Sequence, residues 1–260
     1  MSMIQSAQGH YESLLADRYT WLYGGFEAKA AESAAWFHEQ GVVPKAPSGR
    51  AADLGAGSGF QSIPLAEAGF GVDAVDLSAT LLRELDSRAG LPGIAESGGS
   101  VRTIEADLVE FLQRDSTPAS TPGSYELLVC MGDTLPHLES FAAVEAFFEA
   151  ARQKLEPGGR LILGFRDLSQ SLVGLDRFIP VRSDGERIFT CFLEYDSDEH
   201  VIVHDLIYER GPADRWEFHK SCYRKLRVGP VWIAERLLRA GFRIAHENMA
   251  QGFMTLIAER

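Results

Sequence analysis

Acidic residues and glycines stand at the ends of short apolar runs, where they could hold a ligand. The stretch "DLGAGSG", residues 53–59, places one acidic residue ahead of three alternating glycines: Asp53, Gly55, Gly57 and Gly59. Glycine lets the main chain approach a ligand closely, and the N–H groups that begin a following helix can donate hydrogen bonds to it. Two more carboxylates, Asp76 and Asp107, stand at the ends of the next two apolar runs. The pattern predicts a cofactor site.

A second candidate segment, "MGDTLPHL" at residues 131–138, follows a later apolar run. The Asp133 carboxylate can accept a hydrogen bond from an amine or take a proton, so we expect it to orient a nucleophilic amine or hydroxyl. The alternative is that Asp133 caps the following helix. His137 is a candidate general base, and a histidine packed against the strand ends is its alternative role.

The elements that must position these groups alternate between strand and helix. Strands are predicted at "RAADL" and at residues 71–78, 101–108, 125–133 and 160–168, with helical patterns between them. Residues 10–41 precede them with a helical pattern. The alternation predicts an α/β fold with a doubly wound, mostly parallel sheet and helices on both faces. Ligands of such sheets bind outside the carboxyl ends of the strands.

The pattern changes after residue 168, where strand-like runs follow one another without helices between them. We expect an antiparallel β insertion at 169–228, built from three strands, that covers substrate or mediates a dimer contact. Cationic residues of this segment could bind a substrate carboxylate together with Arg166, or could form a solvated face. These residues are Arg177, Arg182, Arg215, Lys220, Arg224 and Lys225. Residues 229–260 predict a helix and a hairpin that complete the core.

The glycine turn departs from two common nucleotide-binding patterns. The dinucleotide fingerprint G-x-G-x-x-G/A fits Gly55 and Gly57 but meets Phe60 at its third small position. The phosphate loop G-x-x-x-x-G-K-[ST] needs a lysine after the last glycine, and no lysine follows Gly59. A dehydrogenase is therefore disfavoured.

The sequence is similar instead to class I S-adenosylmethionine-dependent methyltransferases, whose D/E-x-G-x-G-x-G loop it matches at residues 53–59. The resemblance covers residues 49–168 and 229–260 and implies a Rossmann-like sheet of seven strands, closed by an antiparallel hairpin. It implies S-adenosylmethionine as the cofactor, with Asp76 on the ribose hydroxyls and Asp107 and Leu108 at the adenine edge. The core residues that it assigns to cofactor binding are Asp53, Gly55, Ala56, Gly57, Asp76, Leu77, Asp107, Leu108 and Met131.

The segment "MGDTLPHL" resembles the "GNS-x-x-HL" segment of small-molecule N-methyltransferases such as glycine N-methyltransferase. The resemblance implies methyl transfer to a small molecule, at nitrogen, although Asp133 stands where that segment has an asparagine. The candidate catalytic residues are Asp133 and His137, and the candidate substrate-binding residues are Thr134, Arg166, Tyr195 and Tyr223. Two alternatives stay open: O-methylation with His137 as the base, and a non-catalytic protein that binds S-adenosylmethionine.

The first 45 residues contain a cluster of aromatic side chains. Related enzymes close the cofactor pocket with an N-terminal helical lid, and aromatic faces suit a sulfonium cation. We therefore assign residues 1–45 to a lid, with Tyr19 and Trp21 over the cofactor; the alternative for both side chains is plain core packing. Residues 46–168 then form the cofactor-binding core.

Charge and composition narrow the classes of partner. The formal net charge of −12 and the pI near 5.1 disfavour binding to nucleic acid or to an anionic membrane surface. The three cysteines form no C-x-x-C pair, and no cluster has metal-ligand spacing, so we expect reduced thiols, no metal and a cytoplasmic protein. An exposed edge strand in the insertion makes a homodimer plausible.

Overall fold

Two β-sheets organise the chain in this computed structural model, which describes residues 4–45, 49–114 and 125–260. The larger sheet contains β1 (Arg50–Leu54), β2 (Gly71–Asp76), β3 (Ser100–Glu105), β4 (Tyr125–Cys130), β5 (Leu155–Arg166), β10 (Arg243–Ala250) and β11 (Phe253–Glu259). The smaller sheet contains β6 (Phe178–Ser183), β7 (Arg187–Tyr195), β8 (His200–Arg210) and β9 (Trp216–Leu226).

The larger sheet has the strand order β10-β11-β5-β4-β1-β2-β3. Strands β1 to β5 are parallel, and β11 runs antiparallel to both of its neighbours. This arrangement confirms the predicted seven-stranded sheet with a closing hairpin. The chain order reverses between β1 and β4, and a crevice for ligands opens beyond the carboxyl ends of strands at such a reversal.

Helices cover both faces of this sheet. They are α1 (Ala7–His10), α2 (Tyr19–Leu22), α3 (Phe26–Glu39), α4 (Ser62–Glu67), α5 (Ala79–Asp86), α6 (Pro92–Ser97), α7 (Leu108–Gln113), α8 (Phe141–Lys154) and α9 (Pro230–Arg239). One face buries Phe147, Phe148 and Leu237 from α8 and α9. The other buries Phe37 of α3 and Leu85 of α5. Truncating one of these phenylalanines to alanine would destabilise the fold by about 3–5 kcal/mol.

The N-terminal region differs from the continuous helix that its composition predicts. After α1, the chain forms a π-helical turn at Tyr11–Leu15 and a 3-10 turn at Ala16–Arg18, and then enters α2. Gly24 and Gly25 follow with φ angles of +91° and +105°, which end the helical path before α3 begins. We call residues 5–25 the lid segment.

Three further elements go beyond the sequence-based prediction. Helices α6 and α7 are only six residues long, too short to show a helical period, and β6 adds a fourth strand to the insertion. The composition of residues 115–124 and of residues 44–49 predicts a loop at each place. The first loop lies outside the described residues, as do residues 46–48 of the second.

The smaller sheet holds the lid segment over the carboxyl ends of the larger one. Its β9 pairs with Gln5 through an isolated parallel bridge at Tyr223. His10 Nε2 forms a buried hydrogen bond of 2.8 Å with Asp205 Oδ2 of β8. Within the described residues, no helix has the length and apolar character that a membrane crossing requires.

Candidate active site

The glycine loop between β1 and α4 is closely surrounded by side chains. Gly55 has a φ of +82°, and a Cβ there would lie 2.4 Å from the Thr134 side chain. Gly57 has a φ of +52°, and its Cβ would lie 3.0 Å from the Tyr19 ring. Both the conformation and the available space therefore require glycine at these positions.

Asp53 supports this loop from beneath and does not line a cavity. Its Oδ2 accepts a hydrogen bond of 2.6 Å from Ser62 Oγ at the start of α4. Burial raises the pKa of Asp53 to about 7. Ala56 is also buried, and its N–H donates to the Val75 carbonyl on β2.

Asp76 faces the cavity at the end of β2. Its Oδ2 accepts a 2.8 Å hydrogen bond from the Gly57 N–H, and its Oδ1 accepts one of 2.8 Å from the Ser78 N–H. Burial raises the pKa of Asp76, and the two backbone hydrogen bonds oppose that rise. Each carboxylate oxygen keeps a lone pair, so Asp76 can accept hydrogen bonds from a ligand as well.

Two cavities meet at Tyr19, Gly55 and Gly132. The first, of about 110 Å³, is lined by Ala7, Gln8, Tyr11, Val75, Asp76, Leu77, Ser78, Leu81, Ala106, Asp107, Leu108, Thr134, His137 and Leu138, besides the shared residues and Gly57. The second, of about 520 Å³, lies toward α3 and the β10–β11 turn. Its further lining includes Lys29, Trp36, Met131, Asp133, Arg166 and Phe253.

The first cavity has both polar and apolar walls. Asp107 lines it and uses Oδ1 to cap α7, accepting from the N–H groups of Val109 and Glu110. Leu77 and Leu108 flank the same space with aliphatic side chains. The cavity therefore offers an apolar slot for a flat ring, with carboxylates at its edge.

Asp133 lies in the wall of the second cavity in an unusual backbone conformation. Its φ is +72°, directly after Gly132 at +75°. Its Oδ1 accepts a 2.9 Å hydrogen bond from the Arg166 N–H, and its Oδ2 accepts one of 2.5 Å from Lys225 Nζ. The short helix that follows has Thr134 at its N-cap position, so Asp133 does not take the capping role.

His137 lines the first cavity and not the second. Its Nε2 lies 3.5 Å from the Tyr11 hydroxyl, and its ring stacks on Tyr223 at a centroid distance of 5.2 Å. Burial, followed by the charges of Lys225 and His10, holds the pKa of His137 well below its usual value. The imidazole is therefore neutral near pH 7.

The two aromatic residues predicted for the lid point to different places. Tyr19 lines both cavities and stacks on Phe60 at 5.6 Å. Trp21 lines neither, and its Nε1 donates to Asp184 in the turn between β6 and β7. Residues two apart on a helix face opposite sides, so only Tyr19 can turn toward the cofactor cavity.

The predicted substrate-binding residues are also divided. Arg166 and Thr134 line the second and first cavities respectively. Tyr223 is buried behind His137. Tyr195 is remote from both cavities, and its hydroxyl accepts a hydrogen bond from the Leu172 N–H. The strand pattern shows which face these tyrosines share but not what covers that face.

Several residues of the site could not be singled out from the sequence. Tyr11 lines the first cavity, while Trp36 and Phe253 line the second. Lys225 is one of nine lysines and arginines of the insertion in the sequence, and only the fold shows that it reaches Asp133. The aromatic composition of the N-terminal segment was the one available signal, and it pointed to Tyr11 only as a member of a cluster.

Comparison with known proteins identifies relatives of this architecture. Residues 51–159 match the family described as a methyltransferase domain. The glycine/sarcosine N-methyltransferase of Halorhodospira halochloris is 31% identical over 122 residues, which cover 45% of this chain and 40% of that protein. Human glycine N-methyltransferase is 27% identical over 195 residues, covering 70% of this chain and 63% of the human protein. This chain therefore spans less than two thirds of either relative.

A solved structure shows the same fold at lower sequence similarity. The amino pentose methyltransferase CalS10 of Micromonospora echinaspora, determined with S-adenosylmethionine bound, has a TM-score of 0.67 and 17% identity. The alignment covers 94% of this chain and 95% of CalS10.

Proposed function

We propose that the chain is a class I S-adenosylmethionine-dependent methyltransferase that transfers a methyl group to the nitrogen of a small molecule. One observation carries the choice of nitrogen. The Asp133 carboxylate lines the larger cavity directly beside Gly132, where that cavity meets the smaller one. A carboxylate at this place can accept a hydrogen bond from an acceptor amine. The names of the two N-methyltransferase relatives agree with this choice.

The residues of the first cavity fit S-adenosylmethionine. Asp76 offers free lone pairs for ribose hydroxyls, and the glycine loop leaves room for close approach. Leu77 and Leu108 flank an apolar slot that suits adenine, and the Tyr19 ring suits a sulfonium group. When bound, the cofactor would supply an electrophilic methyl group on sulfur.

In this proposal the chain acts mainly by positioning and by excluding water. Asp133 orients the acceptor nitrogen and can receive a proton from it. Its two oxygens are already held by the Arg166 N–H and by Lys225, which restricts rotation of the carboxylate. Tyr19 and the rest of the lid segment cover the cavities.

Arg166 supports an acceptor that carries an anionic group. Arg166 lines the second cavity, and within the described part of the chain its guanidinium has no ion-pair partner. The other cation of that cavity, Lys29, is already paired with Glu32 at 2.8 Å. A guanidinium group with free donors suits a carboxylate.

Titration with S-adenosylhomocysteine and transfer of a labelled methyl group test the proposal together. We expect binding by the native protein and a loss of about tenfold or more for Asp76→Ala, because hydrogen bonds to a charged group are removed. Methyl transfer to amines that carry a carboxylate should exceed transfer to their neutral analogues. Binding without transfer to any amine or hydroxyl would favour the non-catalytic alternative, and binding of NADH alone would reject the methyltransferase.

An Arg166→Met variant shows whether Arg166 binds a carboxylate of the acceptor or the carboxylate of the cofactor. We expect a higher KM for a carboxylate-bearing amine, by about tenfold or more, with unchanged affinity for S-adenosylhomocysteine. Weaker binding of S-adenosylhomocysteine but not of methylthioadenosine, which lacks the carboxylate, would instead assign Arg166 to the cofactor. Arg215→Met, at an exposed position of the insertion outside both cavities, is the matched control.

O-methylation is the second candidate, and the neutral His137 side chain favours it. A neutral imidazole can take a proton from a hydroxyl, although its lowered pKa makes it a weak base. Comparing the pH–rate profiles of the native protein and His137→Gln separates the two functions. An N-methyltransferase should keep most of its kcat in the variant, whereas an O-methyltransferase should lose about 100-fold.

A further inference from the structure

Lys225 is a buried cation that joins the insertion to the candidate active site. It lies on β9 opposite Val201 of β8, and only 8% of its surface is exposed. Its Nζ contacts Asp133 Oδ2 at 2.5 Å, across 92 positions of sequence. Burying a lysine is unfavourable unless it is paired, so this contact determines where both side chains lie.

The loop that receives this contact is strained. Asp133 occupies the left-handed region, which is unfavourable for a residue other than glycine. Such conformations persist where the surroundings hold them, and they cluster at functional sites. Two contacts hold the Asp133 side chain: the Arg166 N–H on one oxygen and Lys225 on the other.

Lys225 also acts on His137. Its Nζ lies 5.7 Å from the centre of the Tyr223 ring, and that ring stacks on His137. The other titratable groups that face His137 are His10 and Tyr11 from the lid segment, with Tyr223 itself from β9. One ammonium group therefore lies near both candidate catalytic side chains.

We propose that Lys225 is a positioning residue, whose ammonium group fixes the Asp133 carboxylate in the wall of the acceptor cavity and so lets the insertion set the geometry of the catalytic loop. The inference rests on the proposed function for its catalytic consequence. Its structural part does not depend on that function. The lowered pKa of His137 supports it, since Lys225 is the largest charge contribution to that shift.

The test compares three variants: Lys225→Met, Lys225→Arg and Lys220→Met. Lys220 is an exposed lysine of the same strand that lies near neither cavity, so its replacement controls for loss of one charge from β9. The first measurement is the NMR titration of the His137 imidazole in the cofactor-free protein. The second is methyl transfer, with S-adenosylhomocysteine affinity measured alongside.

In Lys225→Met we expect His137 to titrate at a higher pH than in the native protein, because a nearby positive charge is gone. We expect kcat to fall by about tenfold to 100-fold while S-adenosylhomocysteine affinity stays native, because the first cavity is untouched. Lys225→Arg should restore most of both properties, and Lys220→Met should behave as the native protein. The kcat losses of Lys225→Met and Asp133→Asn should not add in the double variant.

Native titration and native kcat in Lys225→Met would overturn the proposal, as would equal effects of Lys220→Met. A second result would also overturn the proposal: Lys225→Met loses S-adenosylhomocysteine binding and Lys225→Arg does not restore that binding. Lys225 would then have a general structural role. If the native protein transfers no methyl group, the proposed function fails by itself. The His137 titration then still decides whether Lys225 acts on the catalytic loop.

Discussion

At the scale of single residues, three aspartates at the ends of successive strands have three different roles. Asp53 is buried beneath the glycine loop, Asp76 faces the first cavity, and Asp107 caps α7 at the edge of that cavity. Their residue type and spacing are alike, but their surroundings differ. Asp53 differs from the other two because it is buried, and none of the described residues places a cation beside it. Burial favours its neutral carboxyl group and raises its pKa.

The raised pKa of Asp53 predicts a pH-dependent stability. Folding raises this pKa from 3.8 to about 7, so the folded state binds the proton more tightly than the unfolded state. The resulting stabilisation is fully present below the unfolded pKa and is lost as the pH rises through the folded value. The side chain at position 53 cannot ionise in Asp53→Asn. As the pH rises from about 5 to about 8, we therefore expect the free energy of unfolding of the variant to fall by roughly 2 kcal/mol less than that of the native protein.

Urea unfolding of the cofactor-free protein at each pH measures this difference. Asp17→Asn makes the same chemical change at an exposed position and should keep the native pH dependence. The assignment fails if Asp53→Asn and the native protein show the same change in free energy of unfolding.

At the scale of elements, the turn from β1 into α4 determines how closely a ligand can approach the sheet. The N–H groups of Gly55 and Ala56 both donate to the Val75 carbonyl, which ties the turn to β2. The Thr134 side chain of the loop after β4 fills the space beside Gly55. Two neighbouring strand ends therefore define one wall of the site.

Replacing Gly55 with alanine should disturb both folding and binding. The new Cβ meets Thr134 and the φ angle is unfavourable, so we expect a destabilisation of about 1–3 kcal/mol and weaker binding of S-adenosylhomocysteine. Thermal unfolding and calorimetric titration measure the two effects. Gly90→Ala, where a Cβ meets no atom within 4 Å, is the matched control.

A second substitution separates the clash from the backbone strain. In Gly55→Ala with Thr134→Ala, the two Thr134 atoms at 2.4 Å are removed while its Cβ stays 2.9 Å away, so part of the lost stability should return. No recovery at all would show that the φ angle and the remaining Cβ contact together account for the requirement for glycine.

At the scale of the whole molecule, the lid segment is held by both the core and the insertion. Glu12 accepts hydrogen bonds from Ser78 Oγ and Thr80 Oγ1 at the start of α5. Arg18 pairs with Glu209 of β8 at 2.6 Å. Closure of the cavities therefore depends on contacts between parts of the chain that are remote in sequence.

Weakening the core-side contact should loosen the lid segment. We expect Glu12→Gln to speed amide hydrogen exchange over residues 5–22 and to weaken S-adenosylhomocysteine binding by about threefold to tenfold, because charge-assisted hydrogen bonds are lost. Exchange followed by mass spectrometry measures the first effect. Glu27→Gln, an exposed change in α3, should leave exchange native, and native exchange in Glu12→Gln would contradict the assigned contact.

The sequence alone determined the features that arise within short stretches of chain. The glycine turn, the acidic strand ends and the cap at Ser78 are set by glycine's access to positive φ, by strand periodicity and by side-chain capping. These local rules predicted the parallel sheet and the cavity at Asp76. They did not detect α6 and α7, in which no helical period shows.

Only the tertiary structure decided which side chains meet across the site. It turned Tyr19 toward the cavities and Trp21 toward Asp184, and it made Lys225, among the nine lysines and arginines of the insertion, the partner of Asp133. The physical reason is that such contacts depend on how the lid, the core and the insertion pack together. Burial and charge therefore affect groups that are far apart in the sequence and become neighbours only in the folded chain.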